Sequence, residues 1–355
     1  MTDNRSGMLE TVNKYRAQIM GFAAMWIFVF HVREQIAVFH NIPGLTQTEL
    51  YFSHIGFCGV DVFLFLSGWG LYYAIHRHSL RGFYKRRYRR LIFPFVLVTV
   101  YKAVYFKWDI LRFVKGVTGW TFLTKSVHEP IWFIPAIAVL YLFFPLYIKA
   151  FKKFSNKYVF TGIFFILWFI LAALGAFLTG RKDIYLFINR IPVFAAGILF
   201  GWTAYNGKKD AGITVKIILC VMFLCGIVLQ FFVTFKRFRL FLPEPRNGLP
   251  AFLIAVPVCF ATARVFSLLD RFTIIQKIYG FLGKISLEFY VLQEITTGVL
   301  LDNFPGYKIA YSGDPVAKLI YVLAVFLLSL GGGYLLCLFD TLIAKKTDGE
   351  PLFSH

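Results

Sequence analysis

The sequence predicts an all-α protein, a polytopic transmembrane helical bundle of about ten transmembrane helices with both termini cytoplasmic. Apolar residues make up 58% of the 355-residue chain and charged residues 16%, with a mean hydropathy of +0.67, outside the usual range of soluble globular chains. Aromatic residues reach 19%, with 43 Phe, more large apolar side chains than one soluble core hides, so they must face lipid or neighbouring helices. The third observation is a Lys/Arg asymmetry between successive loops, which orients the bundle.

Apolar runs long enough to cross about 30 Å of hydrocarbon fall at residues 17–39, 51–75, 91–106, 131–150, 158–178, 184–204, 213–234, 249–268, 278–302 and 317–343. The first runs into His31, Arg33 and Glu34 rather than a small-residue cleavage site, so it stays as a membrane helix. The loop near 76–90 carries Arg77, Arg81, Lys85, Arg86, Arg87, Arg89 and Arg90, whereas 40–50 carries no Lys or Arg, which puts the N-terminus in the cytosol. Lys149, Lys152, Lys153, Lys157, Lys208, Lys209, Arg271, Lys277, Lys345 and Lys346 agree with that orientation.

Three outer segments break the bias: 107–130 with Lys107, Arg112, Lys115 and Lys125, the turn with Arg181 and Lys182, and 235–248 with Lys236, Arg237, Arg239 and Arg246. Either they face an acidic substrate or the span count is off by one. Lys107, Trp108, Arg112, Trp120, Lys236, Arg237 and Arg239 are candidates to line an acceptor site, the alternative being an interfacial belt. No internal repeat is visible, and the tails are too short to fold alone, so residues 1–355 read as one membrane domain with no appended extracellular esterase-like domain.

The net charge of +20 would suggest nucleic acid in a soluble protein, but here it is accounted for by cytosolic loops, so lipid and not nucleic acid is the expected partner. The five cysteines, Cys58, Cys220, Cys225, Cys259 and Cys337, lie in apolar runs without a CxxC pair, which points to neither a disulfide framework nor a metal site.

Because a charge inside a span costs a few kcal/mol, each such residue is a functional candidate. On the first helix, Glu34 stands three residues after His31 and could hydrogen-bond one ring nitrogen, leaving the other as a base; equally, Arg33 and Glu34 could mark the interface. Asp61 lies among glycines in GVDVFLFLSGWG, which let helices approach closely with a carboxylate between them, and could hold an arginine of a neighbouring helix. FYKRRYRRLIFP (83–94) packs five cations before a span; they are either a positive-inside anchor or, at Arg86, Arg87 and Arg90, a phosphate-binding cluster. In the ninth span Lys284, Glu288 and Glu294 fall within GKISLEFYVLQE (283–294), where Lys284 and Glu288 stand four apart and can neutralise each other.

In order along the chain, these motifs resemble the bacterial acyltransferase 3 membrane proteins, which acylate sugars of surface polysaccharides and related glycans. YRAQIMGFAAMWIFVFH resembles the family's first helix, GVDVFLFLSGWG its second-helix signature, and FYKRRYRRLIFPF its Arg-x-x-Arg element, Arg87 and Arg90 here. IWFIPAIAVLYLFFPL is similar to its fourth helix, INRIPVFAAGILFG to its Arg-bearing sixth, and GKISLEFYVLQE to its penultimate one. The resemblance covers nearly the whole chain.

It implies an O-acyltransferase, most simply an O-acetyltransferase, of the bacterial cytoplasmic membrane. Cytosolic acyl-coenzyme A, acetyl-coenzyme A in the simplest case, is the co-substrate, without a metal. A saccharide or lipid-linked glycan hydroxyl, or a separate extracytoplasmic acyl-accepting protein, receives the group. His31 matches the essential histidine, as base or acyl carrier, with Glu34 or Asp61 orienting it. Arg86, Arg87 and Arg90 would hold coenzyme A. The family's basic residue eleven positions before the histidine is Met20 here, so its role falls to Arg16, fifteen before. Trp132, Glu288 and Tyr290 are candidates for binding substrate, and Gln293 stands where many relatives carry histidine. The rival classes are a transporter or flippase of a glycan or lipid-linked sugar and a lipid-binding scaffold, which leaves His31 and Asp61 without a role.

Overall fold

The structure is a computed structural model describing residues 7–36, 44–77, 79–125, 132–179, 185–234, 248–302, 308–312 and 314–348. Among these the regular elements are all helical. In chain order they begin with α1 (Met8–Lys14), α2 (Arg16–His31), α3 (Arg33–Ile36), α4 (Leu45–His54), a 3-10 turn (Ile55–Cys58) and α5 (Gly59–Arg77). α6 (Leu80–Tyr105), α7 (Ile110–Val117), α8 (Trp120–Lys125), α9 (Phe133–Lys153), α10 (Lys157–Thr179) and α11 (Tyr185–Ile188) follow. α12 (Ile191–Tyr205), α13 (Ile213–Thr234), α14 (Gly248–Leu268), α15 (Thr273–Lys284), α16 (Ser286–Asp302) and α17 (Pro315–Asp348) complete the chain.

Six stretches among the described residues are long and apolar enough to cross a membrane: Leu45–Arg77, Phe133–Lys153, Lys157–Gly175, Ile213–Thr234, Gly248–Leu268 and Pro315–Ile343. The chain is therefore a multi-pass membrane protein. The other expected spans depart from a plain apolar rod in ways that hydropathy does not register. The first stops at His31, where Val32 leaves helical geometry (φ −99°, ψ 14°). The sixth is divided near Arg190 and the ninth at Ile285 (φ −99°, ψ 14°). The third begins earlier than the apolar run does. Ser79 caps Gly82 N–H at 3.3 Å, and a single helix of 26 residues carries the basic stretch directly into the span. The expected 76–90 loop is thus largely helix, because Lys, Arg and Tyr tolerate helical geometry and the Ser cap starts it.

Burial separates core from rim. In the most apolar window of each span, 76% of Leu45–Arg77 and 56% of Gly248–Leu268 is buried, against 11% of Lys157–Gly175 and 17% of Ile213–Thr234. The last two present their Ile, Leu and Phe side chains outward, the faces that lipid covers. At the centre, α5 and α12 pack so closely that a Cβ on Gly197 would run into the Phe65 carbonyl and one on Gly68 into that of Phe194. In lipid such close approach supplies the dispersion contacts that hold helices together when apolar side chains gain nothing by leaving water. α2 packs on α5, α15 and α16, and α14 on α1, α5 and α13.

One end of the bundle is laced by polar contacts. Leu9 N–H and Glu10 N–H donate to the Lys209 carbonyl (3.0 and 3.2 Å), and Lys14 pairs with Asp270 at 2.9 Å. Trp69 Nε1–H donates to Asn13 at 2.8 Å, and the His76 ring stacks on Tyr205, centroids 4.8 Å apart. The N-terminal helix, the ends of α5 and α12, and the turn after α14 therefore share one end.

Replacing Gly197 by Leu should force α5 and α12 apart. Overpacking costs about 1–3 kcal/mol, and a backbone carbonyl cannot rotate away as a side chain would. Thermal unfolding in detergent should show a markedly lower midpoint for Gly197→Leu than for a Leu placed at the open Gly162, beside which a Cβ meets nothing.

Candidate active site

His31 is the last residue of α2, and its Nε2 lies 3.2 Å from Oε1 of Glu294 on α16. Both side chains are about one-fifth exposed, 22% and 20%, so solvent or substrate reaches a pair that is otherwise enclosed. Nδ1 of His31 is buried and has no hydrogen-bond partner among the described residues. A carboxylate on one ring nitrogen favours the tautomer with the proton on that nitrogen, which leaves the other as a base.

Around this pair stand the residues that bind charge. One turn before Glu294, the Tyr290 ring lies 6.4 Å from that of His31 and packs edge-on against Phe133 at 5.8 Å. Trp132 adjoins Phe133, and the Arg190 guanidinium sits 4.9 Å from the Trp132 ring centre. Arg190 Nε pairs with Asp61 Oδ1 at 3.5 Å, with side chains 4% and 0% exposed. Asp61 lies in the first turn of α5, where the helix dipole favours a carboxylate. Lys102, on the far half of α6, is within electrostatic reach of Glu294.

A second cluster gathers at the other end of α2. Arg16 donates from Nη2 to the Leu66 carbonyl at 2.8 Å, and its guanidinium lies over Gly70, filling the space that a Cβ would need. Arg87, Arg90 and Tyr141 are within electrostatic reach of it. Arg87 and Arg90 stand three apart and so share a face of α6, while Tyr84 and Tyr88 hydroxyls donate to the Leu142 and Ala138 carbonyls of α9 (3.0 and 2.8 Å). Arg90 Nη2 also donates to the Lys284 carbonyl at 3.3 Å. Arg86 lies beside Arg87. Arg16 and His31 are the first and last of the 16 residues of α2, so they stand roughly 22 Å apart along the axis at about 1.5 Å per residue.

A family model settles what kind of protein this is: the acyltransferase domain of the acyltransferase 3 type matches residues 19–338. The chain belongs to the acyltransferase 3 family. It is a membrane acyltransferase, an enzyme that transfers groups other than amino-acyl groups. No curated protein and no solved structure matches it.

Within the acyltransferase, the expected residues divide between the two clusters. His31, Tyr290 and Trp132 come together; Arg16, Arg86, Arg87 and Arg90 form the second group. Asp61 does not orient the histidine: it is committed to Arg190, because two buried charges in a low-dielectric bundle must meet each other. The acid on His31 is Glu294, which sequence spacing did not single out, and the Glu34 side chain lies outside the described side chains. Glu288 is buried, with Arg90 and Asp340 within electrostatic reach. The helix break at Ile285 removes the regular four-residue register between Lys284 and Glu288. Gln293 is fully buried, and its amide has no partner among the described residues. Lys236, Arg237, Arg239, Arg246, Arg181 and Lys182 lie outside the described residues. No group of metal-ligating side chains occurs among the described ones.

Glu294→Gln keeps the size of the group but removes its charge, and should lower acyl transfer by about 10²-fold, at the lower bound for a general acid–base assembly. Glu34→Gln should leave activity near that of the native acyltransferase. Equal losses in the two variants, read from initial rates of transfer, would return the orienting role to Glu34.

Proposed function

We propose that the protein is an O-acetyltransferase of a bacterial cytoplasmic membrane, moving the acetyl group of cytosolic acetyl-coenzyme A to a hydroxyl of a cell-surface or lipid-linked saccharide. The observation that carries this reading is the separation of a guanidinium cluster from a histidine–carboxylate pair by the length of one helix. Phosphates of the donor suit Arg16, Arg86, Arg87 and Arg90, whose planar forks match phosphate oxygens. A thioester at the end of a long flexible arm then reaches toward His31 from the opposite side to the acceptor.

Ten crossings with both termini cytosolic fit this arrangement. The end that holds α1, the turn 206–212 and the turn 269–272 is also the end rich in Lys and Arg, as the positive-inside bias requires.

In the transfer itself the acceptor oxygen attacks the thioester carbonyl carbon while its proton passes to Nδ1 of His31. The tetrahedral intermediate collapses by breaking the C–S bond, and the proton on His31 passes to the departing thiolate, giving ester and free coenzyme A. Glu294 holds the Nε2–H and stabilises the imidazolium while it exists. Trp132 and Tyr290 border the space in which a sugar ring would stand, and aromatic faces suit sugar faces. Glu288 belongs with Arg90, as a group that fixes the donor end. A second protein on the outer face as acyl acceptor fits the same chemistry.

Purified protein incubated with radiolabelled acetyl-coenzyme A should release free thiol and label a saccharide acceptor, and His31→Ala should lower this by about 10²–10⁴-fold. Near-normal turnover in that variant would remove His31 from the mechanism. Replacing Arg87 and Arg90 together by Lys keeps the charge but loses the bidentate geometry, so the apparent KM for acetyl-coenzyme A should rise more than kcat falls. An unchanged KM would leave those arginines as a topological anchor.

A further inference from the structure

Most glycines at the centre of the bundle serve helix packing. A Cβ on Gly59, Gly68 or Gly197 would run into a backbone carbonyl of the facing helix, that of Ala23, Phe194 or Phe65. Gly70 differs. A Cβ there would overlap both Nη atoms of Arg16 and come within 2.5 Å of its Cζ. The terminal edge of the guanidinium therefore points at the bare α-carbon of Gly70, while Nη2 donates to the Leu66 carbonyl, one turn earlier on α5, at 2.8 Å.

The backbone at Gly70 cannot retreat from that contact. On its α12 side α5 is pinned, since a Cβ on Gly201 would come within 2.6 Å of the Trp69 carbonyl, and the Trp69 ring stacks on that of Phe200 with planes 4° apart. Toward α1, Trp69 Nε1–H donates to Asn13 Oδ1 at 2.8 Å, and Asn13 Nδ2–H to the Tyr73 hydroxyl at 3.2 Å. Asn13 stands three residues before Arg16, and Tyr73 three after Gly70, so these bonds hold the two segments in register beside the contact. With both backbones held, a side chain at position 70 can be accommodated only by moving the Arg16 guanidinium, the end of a flexible stem. Because its terminal edge is turned to α5, a phosphate would meet the side edge that carries Nε, where a guanidinium also offers paired donors.

We propose that Gly70 is a positioning residue for donor binding: its missing side chain is a seat for the Arg16 guanidinium, and the seat aims Arg16 at a phosphate of the acyl donor. Arg16 touches the donor, and Gly70 acts through it. The inference rests on the donor-end reading of Arg16 given above and adds the residue that sets its geometry.

Binding of acetyl-coenzyme A to full-length protein in lipid nanodiscs, read together with thermal midpoints, tests the seat without turnover. Gly70→Ala should raise Kd about tenfold, the scale of losing one well-placed charge-assisted contact. Its midpoint should stay at the native value, because only a side-chain end has to move. Gly68→Ala, whose Cβ meets the Phe194 carbonyl, should do the reverse, lowering the midpoint and keeping Kd. Arg16→Lys keeps the charge but not the fork, so it should also raise Kd. Adding Gly70→Ala to Arg16→Lys should then change Kd no further, since both act through one guanidinium. Native affinity in Gly70→Ala overturns the proposal, as does a loss that recurs in full in the Arg16→Lys background. A Gly70→Ala midpoint as low as that of Gly68→Ala also overturns it, because the methyl would then be displacing backbone and not the guanidinium. If Arg16→Lys binds acetyl-coenzyme A as native protein does, the donor-end reading of Arg16 fails and the seat falls with it. If Arg16→Lys weakens binding and Gly70→Ala does not, only the seat fails.

Discussion

The buried ion pair between Arg190 and Asp61 is the constraint on which the rest of the arrangement hangs. Neither side chain reaches solvent, and each would be very costly alone inside the bundle, so α5 and the start of α12 must lie where the two groups meet. The glycines that let α5 and α12 approach are part of the same solution, because the charges sit at one end of that contact. Trp132 then packs over the guanidinium, and through Phe133 and Tyr290 the pair fixes the wall beside His31.

Charge is distributed along the bundle in two layers with different character. Near His31 each buried acid meets a base: Glu294 pairs with His31 and lies within electrostatic reach of Lys102, and Asp61 pairs with Arg190. At the other end cations outnumber acids. Arg16, Arg87 and Arg90 repel each other and are only partly offset by Glu288 and Asp340 toward Arg90. A matched layer suits a site where protons move without net charge entering the membrane, and an unmatched cationic layer is poised for an anion. The helix stops at Val32 and Ile285 serve this layering, since each frees a helix end and redirects the chain next to one of the clusters.

The acyltransferase 3 family membership rests on motifs in the right order, and the residues in those motifs divide clearly in what they foretold. His31 and the Arg87/Arg90 pair could be picked out because an ionisable group in or beside an apolar run is rare and expensive. Glu294 shares those properties, but spacing pairs His31 with Glu34, since it reports only neighbours on the same helix. The basic stretch in the first turns of α6 shows the same limit from another side. Its composition indicated a cytosolic loop, and only the Ser79 cap and the helix that follows bring Arg87 and Arg90 onto one face turned toward Arg16.

By itself, the sequence determined that this protein is a multi-pass helical membrane protein, which end of the chain's loops carries the cations, and which family it belongs to. Those properties follow from hydropathy, charge and local motif, which any short window of residues displays. Tertiary structure alone decided that Glu294 meets His31 and that Asp61 belongs to Arg190. Each of those pairings joins residues on different helices. Their contact depends on helix crossing, rotation and single-residue breaks, which no periodicity within one span encodes.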